Sequence, residues 1–215
     1  MSRRTRWIAA AVAVTLLACA LAWWLAAEDG EEQQPTLMAE PPPGALEVVP
    51  APSIEEAGEC AGGARRPFIP ESVTIEDVVA DAAVVGVPRD ARGVTGVLPI
   101  SNKVEVAWDL GGVRPGSRRG NVLLNTHTWE DGSALGNALL DELDLGDRLM
   151  VKGGGSYLCY EVDMRIEVPV EEGYRPYYEE DGPPRVAIVV CSGERRPNGV
   201  WSHRTIWFAR ALSRA

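Results

Sequence analysis

Three residues whose types could together transfer an acyl group stand at the ends of apolar runs: His127 in NTHTW, Cys191 closing VAIVVCSG, and Arg204 opening RTIWFA. A cysteine at neutral pH is mostly thiol, and a nearby cation raises the reactive thiolate fraction. A histidine can give a proton to a leaving amine and later take one from the attacking group. An arginine offers fixed donors to an oxyanion or to a substrate backbone. Each also has an ordinary reading when taken singly. A strand-end cysteine is often a small buried apolar residue, a loop histidine a surface hydrogen-bonder, and an arginine opening a strand an edge charge. Taken together, each supplies what the other two lack. His203 is left out of this group, because adjacent strand residues point to opposite faces; beside Arg204 it reads as facing solvent.

The elements that must position these residues are mainly strands. Val104–Trp108, Asn121–Leu124, Leu149–Lys152, Tyr157–Ile166, Arg185–Cys191 and Thr205–Ala209 are short, rich in β-formers and separated by glycine turns. Asn198-Gly199, between the last two, is a common tight-turn pair. One short helix is expected over Ala134–Leu143, with Ser133 as its cap. Many short strands at this spacing predict an all-β closed barrel rather than alternating α/β units. No internal repeat is present. The three candidate residues lie where such a scaffold presents side chains to loops and substrate.

Ahead of this domain lies an appendage. Residues 7–27, WIAAAVAVTLLACALAWWLAA, carry no charge, and as a helix these 21 residues would rise about 31 Å, enough to cross a hydrocarbon core. Arg3, Arg4 and Arg6 precede the run and Glu28, Asp29, Glu31 and Glu32 follow it, which places the basic tail 1–6 in the cytoplasm and the rest outside. The competing reading is a cleaved signal peptide, for which Ala18-Cys19-Ala20 could serve as cleavage site, but Leu21–Ala27 continue the apolar run beyond it. Residues 28–66, with EDGEEQQP, PPPG and AGGARR, read as a flexible spacer. Residues 67–215 then suffice for one real core. The net charge of −10, with no dense basic stretch after residue 6, argues against a nucleic-acid partner. Cys60, Cys159 and Cys191 fall outside the membrane, where disulfides persist; their odd number leaves at least one thiol unpaired.

With these segments in view, the chain resembles the sortases, the cysteine transpeptidases of Gram-positive bacteria, and within them the actinobacterial class E/F type. The resemblance covers about residues 68–215 together with the N-terminal anchor. It is carried by GNVLLNTHTW with DGSALGN following, LDLGDRLMV, YEVDMRIEV, VAIVVCSG and WSHRTIWFA, and by the order His, Cys, Arg with separations of 64 and 13 residues. The resemblance implies an eight-stranded barrel with one or two short helices, anchored in the cell membrane with the catalytic domain extracellular. It implies cleavage of a Thr–Gly-type bond in a C-terminal sorting signal and transfer of the acyl group to an amine of a peptidoglycan precursor or a pilin lysine. In that chemistry, which needs no cofactor, Cys191 is the nucleophile that forms the thioester, His127 the acid/base, and Arg204 the stabiliser of substrate and oxyanion.

Two positions depart from the family pattern and bear on the substrate: Val190 stands where many sortases have threonine, and Thr126 where class E often has glycine. Tyr174 and Tyr177, with Tyr178, sit in a loop expected to contact the sorting peptide, the alternative being plain packing. The acids of that loop, Glu171 through Asp181, would suit calcium, but a charge run more often forms a solvated face, and no metal is expected. With Cys191 committed to chemistry, Cys60 and Cys159 are left to pair; otherwise Cys159 is a buried free thiol and Cys60 a bystander. An L,D-transpeptidase is disfavoured, since its Ser-x-Gly-Cys pattern fails at Val189-Val190-Cys191. A papain-like protease is disfavoured too, since its cysteine precedes its histidine. A barrel that only binds wall peptides is the non-enzymatic alternative.

Overall fold

A computed structural model of the chain describes Cys60, Gly63, Ala64 and residues 66–212. The apolar run 7–27 and most of the spacer lie outside the described residues. Among those described, no helix is long and apolar enough to cross a membrane.

Eight strands form the domain: β1 (Ser72–Ile75), β2 (Val79–Val87), β3 (Val106–Asp109), β4 (Asn121–Asn125), β5 (Arg148–Gly153), β6 (Ser156–Pro169), β7 (Arg185–Arg195) and β8 (Trp201–Ala211). They close into a barrel in the order β1-β2-β3-β4-β7-β8-β6-β5. The expected closed all-β barrel is therefore present. β1 and β2 are additions to the elements legible in the sequence, and the last two strands run further than their apolar cores, into the loop that joins them.

The strand period of two explains how one barrel wall serves two purposes. Along β7, Val186, Ile188 and Val190 turn into the barrel core with Trp207 and Ala209 of β8. The intervening Ala187 and Val189 face the other way and join Leu123, Ile206 and Phe208 in a second apolar cluster. Tyr177 and its neighbours Tyr174 and Tyr178 cover this cluster from the 170–184 loop, which contains a 3-10 turn at Arg175–Tyr178. β4 is thus buried on both faces, which is why NVLLN reads as a continuous apolar run rather than an alternating one.

The helix α1 (Leu135–Glu142) lies within the expected range, but Ser133 is not its cap. The Ser133 hydroxyl donates instead to Asp131 and accepts from Lys103. The start of the helix is secured by Asn137, whose side-chain oxygen accepts from the backbone N–H groups of Trp129 and Ala134. At the other end, buried Trp207 donates its indole N–H to the Leu143 carbonyl.

Cys60 and Cys159, 99 positions apart in sequence, are joined by a disulfide. The backbone N–H of Ala64 donates to the Tyr157 carbonyl, and Ala64 packs against the core. The last residues before the barrel are thereby held on β6. Closing a loop of this length stabilises a fold by up to about 4–5 kcal/mol. Cys60→Ser is expected to lower the melting temperature by as much as about 10–20 °C, read by calorimetry of the full chain in detergent. A melting temperature unchanged by both this substitution and reductant would mean that the bridge constrains nothing.

Candidate active site

Strand register assembles the three candidate residues. β4 and β7 are parallel neighbours with Asn125 opposite Val189; two residues further along each segment come His127 and Cys191. The Thr128 hydroxyl donates to the Cys191 carbonyl at 2.7 Å, carrying the pairing beyond the end of the ladder. On the other side of β7, Cys191 stands opposite Arg204 of β8. Arg204 shares its face with Ile206 and Phe208, so it lies on the outer wall together with the thiol. His203, one residue away, does not line the cleft. It is half-buried rather than solvent-facing, with Nδ1 2.8 Å from the Ser202 hydroxyl.

His127, Cys191 and Arg204 line one cleft of about 280 Å³. Its floor is the outer apolar face of β7 and β8, with Val189 and Ile206. One wall carries Val94, Thr95 and Val97 from the 88–105 loop, and the other Val168, Val170 and Tyr174. The ring of Tyr177 borders the cleft from below, yet Tyr177 is buried and its hydroxyl donates to the Leu124 carbonyl at 3.2 Å. That hydroxyl is committed to the fold, and burial pushes its pKa upward. Thr126 and Val190 also border the cleft. The Thr126 hydroxyl donates to the Glu105 carbonyl, however, and the Val190 side chain belongs to the barrel core.

The two walls are tied together at the end away from the thiol. Asp109, buried at the end of β3, receives the Arg89 guanidinium, with Nε 2.8 Å from Oδ2. Arg89 reaches on to Glu180 at 3.3 Å and lies over the Tyr178 ring. The Tyr178 hydroxyl in turn accepts from the Thr95 backbone N–H. Other acids of the 170–184 loop are engaged by arginines as well, Glu171 by Arg196 and Asp181 by Arg119. Among the described residues no group of His, Cys, Asp or Glu is placed to hold a metal ion. Sequence reasoning missed Arg89 and Asp109, because the pair is 20 residues apart and only the parallel register of β2 with β3, which sets Val87 opposite Asp109, brings them together.

The electrostatics of the thiol differ from the expectation of a readily ionised cysteine. Burial pushes the Cys191 pKa up, and the Arg204 charge opposes that shift without cancelling it. Burial disfavours the charged form, whereas a nearby cation favours it. Alkylation of Cys191 should therefore rise with pH through a midpoint above the ordinary thiol range. Arg204→Met, which removes the opposing charge, should move that midpoint higher still. Rates of iodoacetamide labelling between pH 6 and about 10.5 would show this; a midpoint below the ordinary thiol value would contradict it. Among the described residues Cys191 is the only free cysteine; because the chain also contains Cys19, labelling is read on the peptide that carries Cys191.

The His127 ring is held from the opposite side. Its Nε2 lies 2.8 Å from the Leu98 carbonyl oxygen. A carbonyl can only accept, so Nε2 carries the proton and donates. Nδ1 is then the nitrogen left to exchange a proton with a reacting group. Behind the ring, the His127 carbonyl accepts from the Gly136 backbone N–H at 2.9 Å. A Cβ on Gly136 would come within 2.4 Å of that same carbonyl oxygen, so the close approach of α1 requires glycine.

The barrel with this cleft on its outer wall is the sortase fold. Among solved structures similar to it are a lid mutant of Streptococcus agalactiae sortase C1 (TM-score 0.51, 18% identity, covering 73% of this chain and 82% of that one) and the Listeria monocytogenes sortase A (TM-score 0.51, 14% identity, 68% and 88%). The sortase C1 of GBS pilus island 1 aligns over 66% of this chain at 19% identity and a TM-score of 0.49, and the match spans 64% of its length, less than two thirds. At these identities the likeness is one of fold. No protein-family model matches the chain, and no curated protein does.

Proposed function

We propose that this chain is a sortase-type cysteine transpeptidase of the class E/F kind, anchored in the cell membrane through residues 7–27 with its catalytic domain outside. The Cys191 thiol passes its proton to His127 as the sulfur attacks the carbonyl of the scissile bond in a C-terminal sorting signal, and the negative charge that develops on the carbonyl oxygen is met by the Arg204 guanidinium. His127 gives a proton to the departing amine, and an acyl thioester on Cys191 remains. An acceptor amine, on a peptidoglycan precursor or a pilin lysine, then attacks the thioester. His127 takes up the amine's proton and hands it to the departing sulfur, so that the thiol and the neutral imidazole are both restored. One of the sortase C structures of this fold, from Streptococcus pneumoniae, is described in connection with pilin substrate specificity.

The observation that carries this reading is the register: Cys191 and Arg204 are opposite neighbours on the outer wall of the barrel, and His127 follows the parallel strand on the other side. His127, Cys191 and Arg204, the residues to which this reading gives the three roles, border one largely apolar cleft. The test is to incubate the full chain in detergent with a library of sorting-signal peptides and an amine, and to identify the products by mass spectrometry. Cleavage with amine-capped product supports the reading. Peptide binding with no acyl-enzyme and no product would instead identify a wall-peptide-binding barrel.

A further inference from the structure

The segment that carries His127 makes a regular set of side-chain bonds to the loop beside it. Asn125 Nδ2 donates to the Gly96 carbonyl at 3.0 Å, His127 Nε2 to the Leu98 carbonyl at 2.8 Å, and Trp129 Nε1 to the Ile100 carbonyl at 3.2 Å. Every second residue of one extended segment thus meets every second carbonyl of another. This is what the period of two provides, since alternate side chains point to one face and alternate carbonyls to one edge. The even-numbered residues point elsewhere, Thr126 to the Glu105 carbonyl and Thr128 to the Cys191 carbonyl. Side chains therefore replace a backbone ladder between 125–129 and 96–100.

On the receiving side the Leu98 side chain is buried and the Pro99 carbonyl accepts from Asn102 within the same loop. Val97 and Ile100 are exposed, and Pro99 has no N–H with which to bond to anything. Beyond Ile100 the Lys103 ammonium lies 3.8 Å from the centre of the Trp129 ring and bonds to Ser133. The Leu98 carbonyl, the group that orients His127, thus stands midway between two carbonyls whose positions are set by Asn125 and Trp129.

We infer that Asn125 and Trp129 are positioning residues for His127, acting through the 96–100 loop: they hold the Leu98 carbonyl where it fixes the imidazole with Nε2 protonated and Nδ1 free. The inference rests on the acid/base role proposed for His127. It also extends the role of the loop, which serves both as a wall of the cleft and as the seat of the histidine.

The chain has only two histidines, so 15N labelling of histidine in the full chain gives two ring systems, and His203→Gln assigns them. The His127 Nε2-bound proton should be shifted downfield and protected from exchange with water. In Trp129→Phe, which keeps a ring for Lys103 to lie over but removes the donor, that proton should exchange faster and lose its downfield shift. Turnover should fall about tenfold, in line with the sensitivity of acid/base steps to small misplacements, while alkylation of Cys191 stays unchanged. Asn125→Leu should do the same from the other side. A loss of stability alone would not move the Nε2–H signal in protein that remains folded. If both variants keep the wild-type Nε2–H signal and turnover, the inference is overturned. If wild type shows the protected proton and the variants lose it but no peptide is ever processed, the positioning stands and the transpeptidase reading fails.

Discussion

Cys191→Ala is expected to abolish acyl transfer, lowering turnover by at least about 10⁴-fold, as removing the nucleophile of a covalent mechanism does. The substitution removes only the sulfur. Cys191 is partly exposed on the outer wall, and its backbone remains paired with Arg204 and bonded to Thr128. The melting temperature should therefore change little, and sorting peptides should still bind. His127→Ala should lower turnover by about 10²- to 10⁴-fold, the range for loss of a general acid/base, while the thioester with a preactivated acyl donor still forms. The measurement is the acyl-enzyme mass after mixing with peptide: present in wild type, absent in Cys191→Ala. A peptide cleaved at undiminished rate by Cys191→Ala would remove the cysteine, and with it the mechanism, from consideration.

Arg204→Lys should cost most of the activity although it preserves the charge. One guanidinium nitrogen, Nη1, donates to the carbonyls of His203 at 2.7 Å and Trp201 at 3.4 Å. Among the described residues no partner takes the remaining N–H groups, which leaves one side of the planar fork free while the other is held. A lysine ammonium is a compact point charge and cannot reproduce both halves of that arrangement. The loss of one oxyanion donor costs about 100- to 1,000-fold in rate, and the effect should fall mainly on kcat. Arg195, Arg196 and Arg210 serve as controls, since each pairs with an acid outside the cleft: Glu130, Glu171 and Glu161. Lysine at any of these should change turnover little. Near-normal turnover of Arg204→Lys, combined with an essential Arg195 or Arg196, would move the oxyanion role into the β7–β8 loop.

The parts of this fold that could be read from the sequence are those in which local pattern and tertiary role coincide. VAIVVC is apolar on both faces because both faces are covered, and NVLLN likewise, so the two strands that bring Cys191 and His127 together were visible as runs. β1 and β2 were not, because SVTI has only four residues and VADAAVVGV carries Asp81 and several exposed positions. Asp81 even takes a positive φ of 49°, a conformation no strand pattern would suggest. The helix was legible from its apolar spacing but its cap was not, because Ser133 is drawn away by Asp131 and Lys103 and a residue inside the helix takes its place. At the site, residue chemistry singled out Cys191, His127 and Arg204. Which residues hold them in place depended on contacts across long loops. Leu98 under the imidazole and Arg89 on Asp109 are separated from their partners by 29 and 20 residues with no motif to connect them. Tyr177 illustrates a divided case: the sequence singles it out as a peptide contact, and its ring does border the cleft, but its hydroxyl is bonded to the Leu124 carbonyl.

Under the proposed anchoring and acyl-enzyme chemistry, the disulfide between Cys60 and Cys159 would also set how the domain bears tension. A substrate held on Cys191 and a chain held from its N-terminal side would pull the domain between two points. The bridge passes that load directly from residue 60 into β6 at residue 159, so the stretch between them, with β1 to β5, is excluded from the path. What remains in series is β6 against β8 and β8 against β7. The two points of attachment lie near opposite ends of these strands: Cys159 beside Leu212, just past the end of β8, and Cys191 opposite Arg204, near its start. Inter-strand hydrogen bonds run across the strands, so a pull along the strands loads each ladder in shear, with its bonds resisting together rather than parting one at a time. Without the bridge the same pull would fall first on the Ala64–Tyr157 hydrogen bond and then on β1, the four-residue strand.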